Sequence, residues 1–266
     1  MKMEYQIDWI FPVLRKHMYL WNIASSFTVA AVGLFSKLLI GWMNSTKSYN
    51  TETFSKILEA RPSNVPLITV SNHHSCFDDP GIWRDERTLQ RDRDLVTYRR
   101  IPAVLISSEG EDDTDADAAD DNRNITHQPQ LTLQDAVNFC IEQLSRGNWV
   151  HVFPEGKVNI TKEYIRMKWG VGRMIYESPV TPILVPIWHL GMDDVLPNEP
   201  PYIPKAGNKL TFNFGEPIDF ADLVADLRRL KVSDEEARKA ITDKIEQELL
   251  RLKEKTEQLH RSHHSS

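Results

Sequence analysis

Four short runs limit what this chain can fold into. Leu67-Ile68-Thr69-Val70-Ser71, Trp149-Val150-His151-Val152-Phe153, Ile183-Leu184-Val185-Pro186-Ile187-Trp188 and Leu210-Thr211-Phe212-Asn213-Phe214 are apolar, β-branched or aromatic. They are too short for buried helices and read as buried strands. The first is followed by Asn72-His73, the second by Pro154-Glu155-Gly156, and the last by Gly215. Helical signals fall between and after them. Apolar residues at 133, 136, 137, 140, 141 and 144 form a 3.6-residue stripe opened by Thr132 and closed by Gly147, and Cys140 belongs to it. Ser233 and Glu236 form a capping box for a long final helix striped by Ala237, Ala240, Ile241, Ile245, Leu249 and Leu252. Alternating strand and helix signals predict an α/β fold, a mainly parallel or mixed sheet flanked by helices. Met43 to Arg61 reads as a helical connector, residues 44–260 as one domain, and 261–266 as a frayed tail.

The N-terminal segment, residues 1–43, is read separately. From Tyr19 to Ser36 there is no charge, but Asn22, Ser25, Ser26, Thr28 and Ser36 are polar, and a spanning helix needs about 20 predominantly apolar residues. Trp9, Phe11, Trp21 and Trp42 supply aromatics of the kind found at headgroup level. A helix or helical hairpin dipping into one leaflet is the preferred reading. A buried core helix and a true span are the alternatives, and no cleavage site for a signal peptide follows the run.

The 32 Lys+Arg and 38 Asp+Glu give a net charge of −6, which argues against a dedicated nucleic-acid binder. Glu109, Glu111, Asp112, Asp113, Asp115, Asp117, Asp120 and Asp121 are concentrated in one stretch. Setting aside these eight acids turns −6 into +2, so the remainder suits an anionic membrane surface. The insert they occupy, about 107–130, has no periodicity and reads as a solvated loop. It lacks the D-x-D-x-D-G spacing of a calcium loop, and no metal is expected. Cys76 and Cys140 make no disulfide framework.

His73 and Asp78 are five residues apart. That spacing puts them on opposite faces of a strand and about 140° apart on a helix, so they meet only across a turn. A histidine held by a carboxylate is a general-base unit able to deprotonate a hydroxyl. Spacing alone leaves the choice open, since His74 and Asp79 are separated equally. The position, after a strand where open α/β sheets place their sites, favours function. His151, within a strand, reads as a core histidine; for His189 packing and catalysis are equally good explanations.

Asn72-His73-x-Ser75-x-x-Asp78, Phe153-Pro154-Glu155-Gly156 and Val185-Pro186-Ile187, in this order, resemble the glycerolipid acyltransferase superfamily. Phe153 to Asn159, Lys168-Trp169-Gly170-x-Gly172-Arg173 and Trp188 to Asn198 are similar to its mitochondrial phospholipid transacylases. The likeness covers about residues 62–103 and 131–220. It implies that His73 is the base and Asp78 its orienting partner, with Ser75, Glu155, Gly156 and Lys157 on the substrate side. It further implies transfer of acyl chains from an intact phospholipid such as phosphatidylcholine to a lysophospholipid, notably monolysocardiolipin, with no coenzyme A or other cofactor. The implied location is a mitochondrial membrane, the inner one facing the intermembrane space or the outer one. An acyl-CoA-dependent lysophospholipid acyltransferase and an inactive or shortened membrane-bound homologue are the alternatives. The superfamily's Gly-Lys and Arg-Gly block has no counterpart between Ala103 and Leu131, where Arg123 is the only lysine or arginine and has no glycine beside it. Lys157, Arg166, Lys168 and Arg173 are the candidate replacements for its phosphate-binding arginine.

Overall fold

The computed structural model describes residues 31–82, 103–105 and 133–265. The acidic insert, Arg123 and most of the N-terminal apolar run lie outside these residues. One six-stranded sheet organises the rest, in the order β1-β6-β5-β2-β4-β3. The strands are β1 (Ser45–Tyr49), β2 (Leu67–Ser71), β3 (Ala103–Leu105), β4 (Trp149–Val152), β5 (Ile183–Leu190) and β6 (Lys209–Phe214). All pairings are parallel except β5 with β6. The expected α/β class with a mixed sheet holds, and all four sequence-predicted strands are present.

The helices are α1 (Thr51–Ala60), α2 (Asp78–Ile82), α3 (Leu133–Ser145), α4 (Gly170–Glu177), α5 (Met192–Val195), α6 (Ala221–Arg229) and α7 (Asp234–His264). Alternate side chains of each strand serve opposite faces of the sheet. Ile68, Val70, Val150, Val152 and Leu184 pack under α3, α4, α6 and α7 through Val137, Leu144, Met174, Ile175, Val224, Ile241, Ile245 and Leu249. Leu67, Trp149, Val185, Leu210, Phe212 and Phe214 form the other core with Leu39, Ile40, Phe54 and Phe77. Cys140 is buried in the first core, where burial pushes its thiol up to about 11.

Gly172 marks a close approach between α4 and α7. A methyl group there would meet the Arg238 carbonyl oxygen and stand 2.6 Å from Thr242 Oγ1. Both obstacles belong to α7, so Gly172→Ala forces the helices apart. We expect a loss of about 1–3 kcal/mol, the range for overpacking, measured by urea unfolding.

Two expectations are corrected. Residues 43–61 are not a continuous helix, because Ser45–Tyr49 forms edge strand β1 beside β6 before α1 begins. The last residues do not fray at Arg261: α7 continues to His264, and buried His263 has its Nε2 3.0 Å from Ser45 Oγ and its Nδ1 3.4 Å from Thr211 Oγ1. The capping box at the start of α7 forms as expected. Of the N-terminal segment read as 1–43, the described part reaches the domain's core. It is helical over 31–36, continues as a π-helix over Lys37–Trp42, and places Leu39 and Ile40 in the second core. Its other side leaves Leu34, Phe35, Leu38 and Trp42 exposed, Trp42 by 84%. Among the described residues no helix is long and apolar enough to cross a membrane.

Candidate active site

β2 is flanked by β4 and β5, and all three run parallel. The chain winds from β2 to β3 and β4 on one side and then returns to β5 on the other. Beside β2 the direction of winding therefore reverses, the position at which open α/β sheets place their sites. The turn Asn72 to Asp78 leaves β2 at this point.

Within it the side chains of His73 and Asp78 meet across the turn, as the motif requires. His73 Nδ1 is 3.0 Å from Asp78 Oδ2, which also accepts the backbone N–H groups of His74 at 2.7 Å and Ser75 at 2.9 Å. Three donors converge on one carboxylate oxygen. A carboxylate only accepts, so Nδ1 of His73 carries the hydrogen and Nε2 keeps its lone pair, ready to take a proton. The ring is stacked on Phe153, with centroids 4.1 Å apart and planes at 18°. Asp78 is buried, so its hold on the imidazole is little weakened by solvent.

Neighbouring strands and loops hold this turn at three further places. Asn72 exchanges hydrogen bonds with the His189 backbone, Nδ2 donating to His189 O and Oδ1 accepting from His189 N–H, both at 3.0 Å. His189 Nε2 in turn donates to Asn72 O at 3.0 Å and lies 3.6 Å from Asp78 Oδ2. Glu155 Oε1 accepts the His73 backbone N–H at 2.8 Å, and Asn159 N–H donates to His73 O at 2.6 Å. Asn198 Nδ2 donates to His74 O at 2.6 Å, and Ser75 Oγ to Leu196 O at 3.3 Å. Gly191, at φ +93 and with a Cβ position blocked by the Lys209 carbonyl, turns the chain from β5 into the loop that supplies these last contacts.

The remaining expected residues are distributed as follows. Glu155 is buried with both oxygens engaged, Oε2 accepting Asn159 Nδ2 at 2.6 Å, so its geometry supports holding His73 rather than contacting substrate. Burial raises its pKa, and the His73 N–H and Asn159 amide oppose that shift. Ser75 is buried too, and its hydroxyl also accepts the Phe77 N–H, so it shapes the turn. Gly156 has φ +78 and closes a tight turn onto Phe153 O. Lys157 follows with its side chain exposed. Arg173 is committed elsewhere, to Glu177, Gln134 and Asn138. Arg166 lies over the Trp169 ring at 4.9 Å. Lys168 is exposed, its backbone N–H bound to Pro154 O.

His151 is a core histidine, as expected. Its ring lies 2.8 Å from Thr69 Oγ1 and 3.3 Å from Ser71 Oγ, and burial pushes its pKa down to about 3. His74 has Nδ1 beside Asn72 Nδ2 at 3.1 Å, and burial with nearby His189 lowers it to about 4. Among the described residues no cluster of three or more His, Cys, Asp or Glu could hold a metal ion. Sequence reasoning missed Asn72, Asn159 and Asn198 as holders of the turn; each lies within a quoted motif.

A family model described as acyltransferase matches residues 52–190, the span that contributes most of this site. Tafazzin of Drosophila melanogaster is 43% identical over 270 residues, covering 97% of this chain and 68% of that protein. The chain belongs to the tafazzin family of acyltransferases. An N-acylphosphatidylethanolamine synthase of Arabidopsis thaliana is 33% identical over 218 residues, covering 76% of this chain and 73% of the relative. The crystal structure of a 1-acyl-sn-glycerophosphate acyltransferase from Thermotoga maritima aligns at a TM-score of 0.48 and 16% identity, covering 87% of this chain and 83% of that one. Membership of the tafazzin family makes the protein an acyltransferase and places the His73 turn and the Phe153 to Asn159 loop within its matched region.

Proposed function

We propose that this member of the tafazzin family moves acyl chains between phospholipids and lysophospholipids without coenzyme A, with monolysocardiolipin as an acceptor and phosphatidylcholine as a donor. The observation that carries the reading is the His73–Asp78 contact at 3.0 Å, with Nε2 of His73 left as acceptor. His73 Nε2 takes the proton of the lysophospholipid hydroxyl as that oxygen attacks the donor's ester carbon. The tetrahedral intermediate then collapses, the donor's glycerol oxygen leaves, and His73 returns the proton to it. One ester replaces another, the histidine ends as it began, and no acyl-enzyme forms. Proton transfer by such a base contributes about 10²–10⁴-fold. Asp78 steadies the imidazolium between the two proton transfers.

Lys157 is the proposed cation for the substrate phosphate, since Arg173 is engaged with its own neighbours. The exposed residues Leu34, Phe35, Leu38 and Trp42 support a helix lying in one leaflet beside the site, as Phe35 packs edge-on to Phe77 of the catalytic turn. Mitochondrial inner and outer membranes are the proposed location, following the family.

The likeness to an N-acylphosphatidylethanolamine synthase supports a second acceptor, the amine of phosphatidylethanolamine. One assay separates these readings: labelled acyl transfer in bilayers, with phosphatidylcholine or acyl-CoA as donor and monolysocardiolipin or phosphatidylethanolamine as acceptor. Transfer from phosphatidylcholine to monolysocardiolipin without coenzyme A is the expected result. A strict requirement for acyl-CoA would overturn the donor assignment, and label found solely on the amine would overturn the acceptor.

A further inference from the structure

Asn159 belongs to neither member of the dyad, yet it grips the catalytic histidine from behind. Its backbone N–H donates to His73 O at 2.6 Å, and its Nδ2 donates to Glu155 Oε2 at 2.6 Å and to Glu163 O at 2.8 Å. Thr161 Oγ1 donates to its Oδ1 at 3.3 Å, which fixes which end of the amide faces the glutamate. Glu155 closes the circuit by accepting the His73 N–H at 2.8 Å. The two polar groups of the His73 peptide backbone are thus held by one glutamate–asparagine pair, both members buried.

We propose that Asn159 is a positioning residue for His73: its amide holds the Glu155 carboxylate against the His73 backbone and keeps the imidazole in register with Asp78. A buried carboxylate without enough donors is unstable as an anion. Asn159 supplies one of two N–H groups that hold it. The titratable groups around Glu155 are the His73 and His189 imidazoles, with His151 edge-on to Phe153 beyond them. None of these donates to the oxygen that Asn159 serves.

Asn159→Asp tests the idea because it changes one donor into an acceptor at almost constant shape. Two carboxyls at hydrogen-bond distance share a single proton, and while it is present the bond to Glu155 survives. When that proton is lost the carboxylates repel, and the His73 backbone loses its anchor. The parent enzyme's activity therefore holds on the alkaline side, whereas the variant acquires a descending limb.

The inference rests on the acyl-transfer reading for its kinetic arm and is independent of it for a second arm, amide hydrogen exchange. For Asn159→Asp we expect kcat about 30-fold below the parent near pH 8 but within about threefold near pH 6, with KM for the lysophospholipid nearly unchanged. The His73 amide should exchange at least about tenfold faster than in the parent near pH 8. Adding Glu155→Gln to Asn159→Asp restores a donor–acceptor pair with reversed polarity, and should remove the descending limb. Equal losses at both pH values, or His73 exchange unchanged near pH 8, would overturn the proposal. Should the parent itself transfer no acyl groups, the functional reading fails and the exchange measurement alone decides the role of Asn159.

Discussion

Asp78→Asn is expected to lower kcat for acyl transfer by about 10³–10⁴-fold while leaving the chain folded. The size follows from tautomer control. In the parent the carboxylate accepts from His73 Nδ1, which leaves Nε2 as the proposed base. An amide at this position either turns its NH2 group to Nδ1, against the His74 and Ser75 N–H groups, and moves the imidazole hydrogen to Nε2, or keeps its oxygen there and brings no charge to the imidazolium; both lower kcat. The N–H groups of His74 and Ser75 lose an anionic acceptor at the same time. Their cost falls on the geometry of the turn, and Asn198 and Glu155 hold that turn from other directions. Steady-state kinetics alongside circular dichroism would check the effect, and a loss below about tenfold would show that Asp78 does not set the tautomer.

The second large effect is on stability. His74 is lowered to about 4 and His151 to about 3, in both cases chiefly by burial. In the unfolded chain both take up protons as pH falls through about 6.5. The folded protein binds neither proton until far lower pH, so the unfolded state is the more protonated in between. Stability contributed by these groups is present above about pH 6.5 and is lost as pH falls toward 4 and then 3. Each contributes a slope of about 1 kcal/mol per pH unit, so several kcal/mol disappear between about pH 6.5 and 4.5. Glu155 works in the opposite sense, because its raised pKa lets the folded state bind its proton first. Two histidines outweigh one carboxyl, and we expect the urea midpoint to fall steadily over that interval. His151→Gln keeps polar contact with Thr69 and Ser71 but cannot titrate, so it should roughly halve the slope. A midpoint that stays level or rises on acidification would contradict the assignment of neutral buried histidines.

Central buried strands were legible because both faces demand apolar residues. β2, β4, β5 and β6 each read as continuous hydrophobic runs for this reason. β1, Ser-Thr-Lys-Ser-Tyr, left no such trace: it is an edge strand with largely exposed side chains. β3 has only three residues, too few for any period. The end of α7 was misread because its polar composition resembles a tail, whereas His263 is buried beside Ser45 and Thr211, residues far away in sequence. In the site, the His73–Asp78 pairing was legible through its motif and not through its spacing. Glu155 was read on the substrate side, and its service to the His73 backbone was not legible, since a side chain bonding a distant peptide group leaves no periodic signature. The same holds for Asn72, Asn159 and Asn198. Their contacts also give a physical reason for the long motif from Trp188 to Asn198: its backbone and side chains clasp the His73 turn at Asn72, His74 and Ser75.

The central claim is that His73 is the base for acyl transfer, and the most direct measurement compares the parent with His73→Ala. Both proteins would be placed in bilayers containing labelled phosphatidylcholine and monolysocardiolipin, without coenzyme A. The account predicts label in cardiolipin with the parent, and a rate at least about 10²-fold lower with His73→Ala at equal folding and membrane binding. Equal transfer by the two proteins would contradict it.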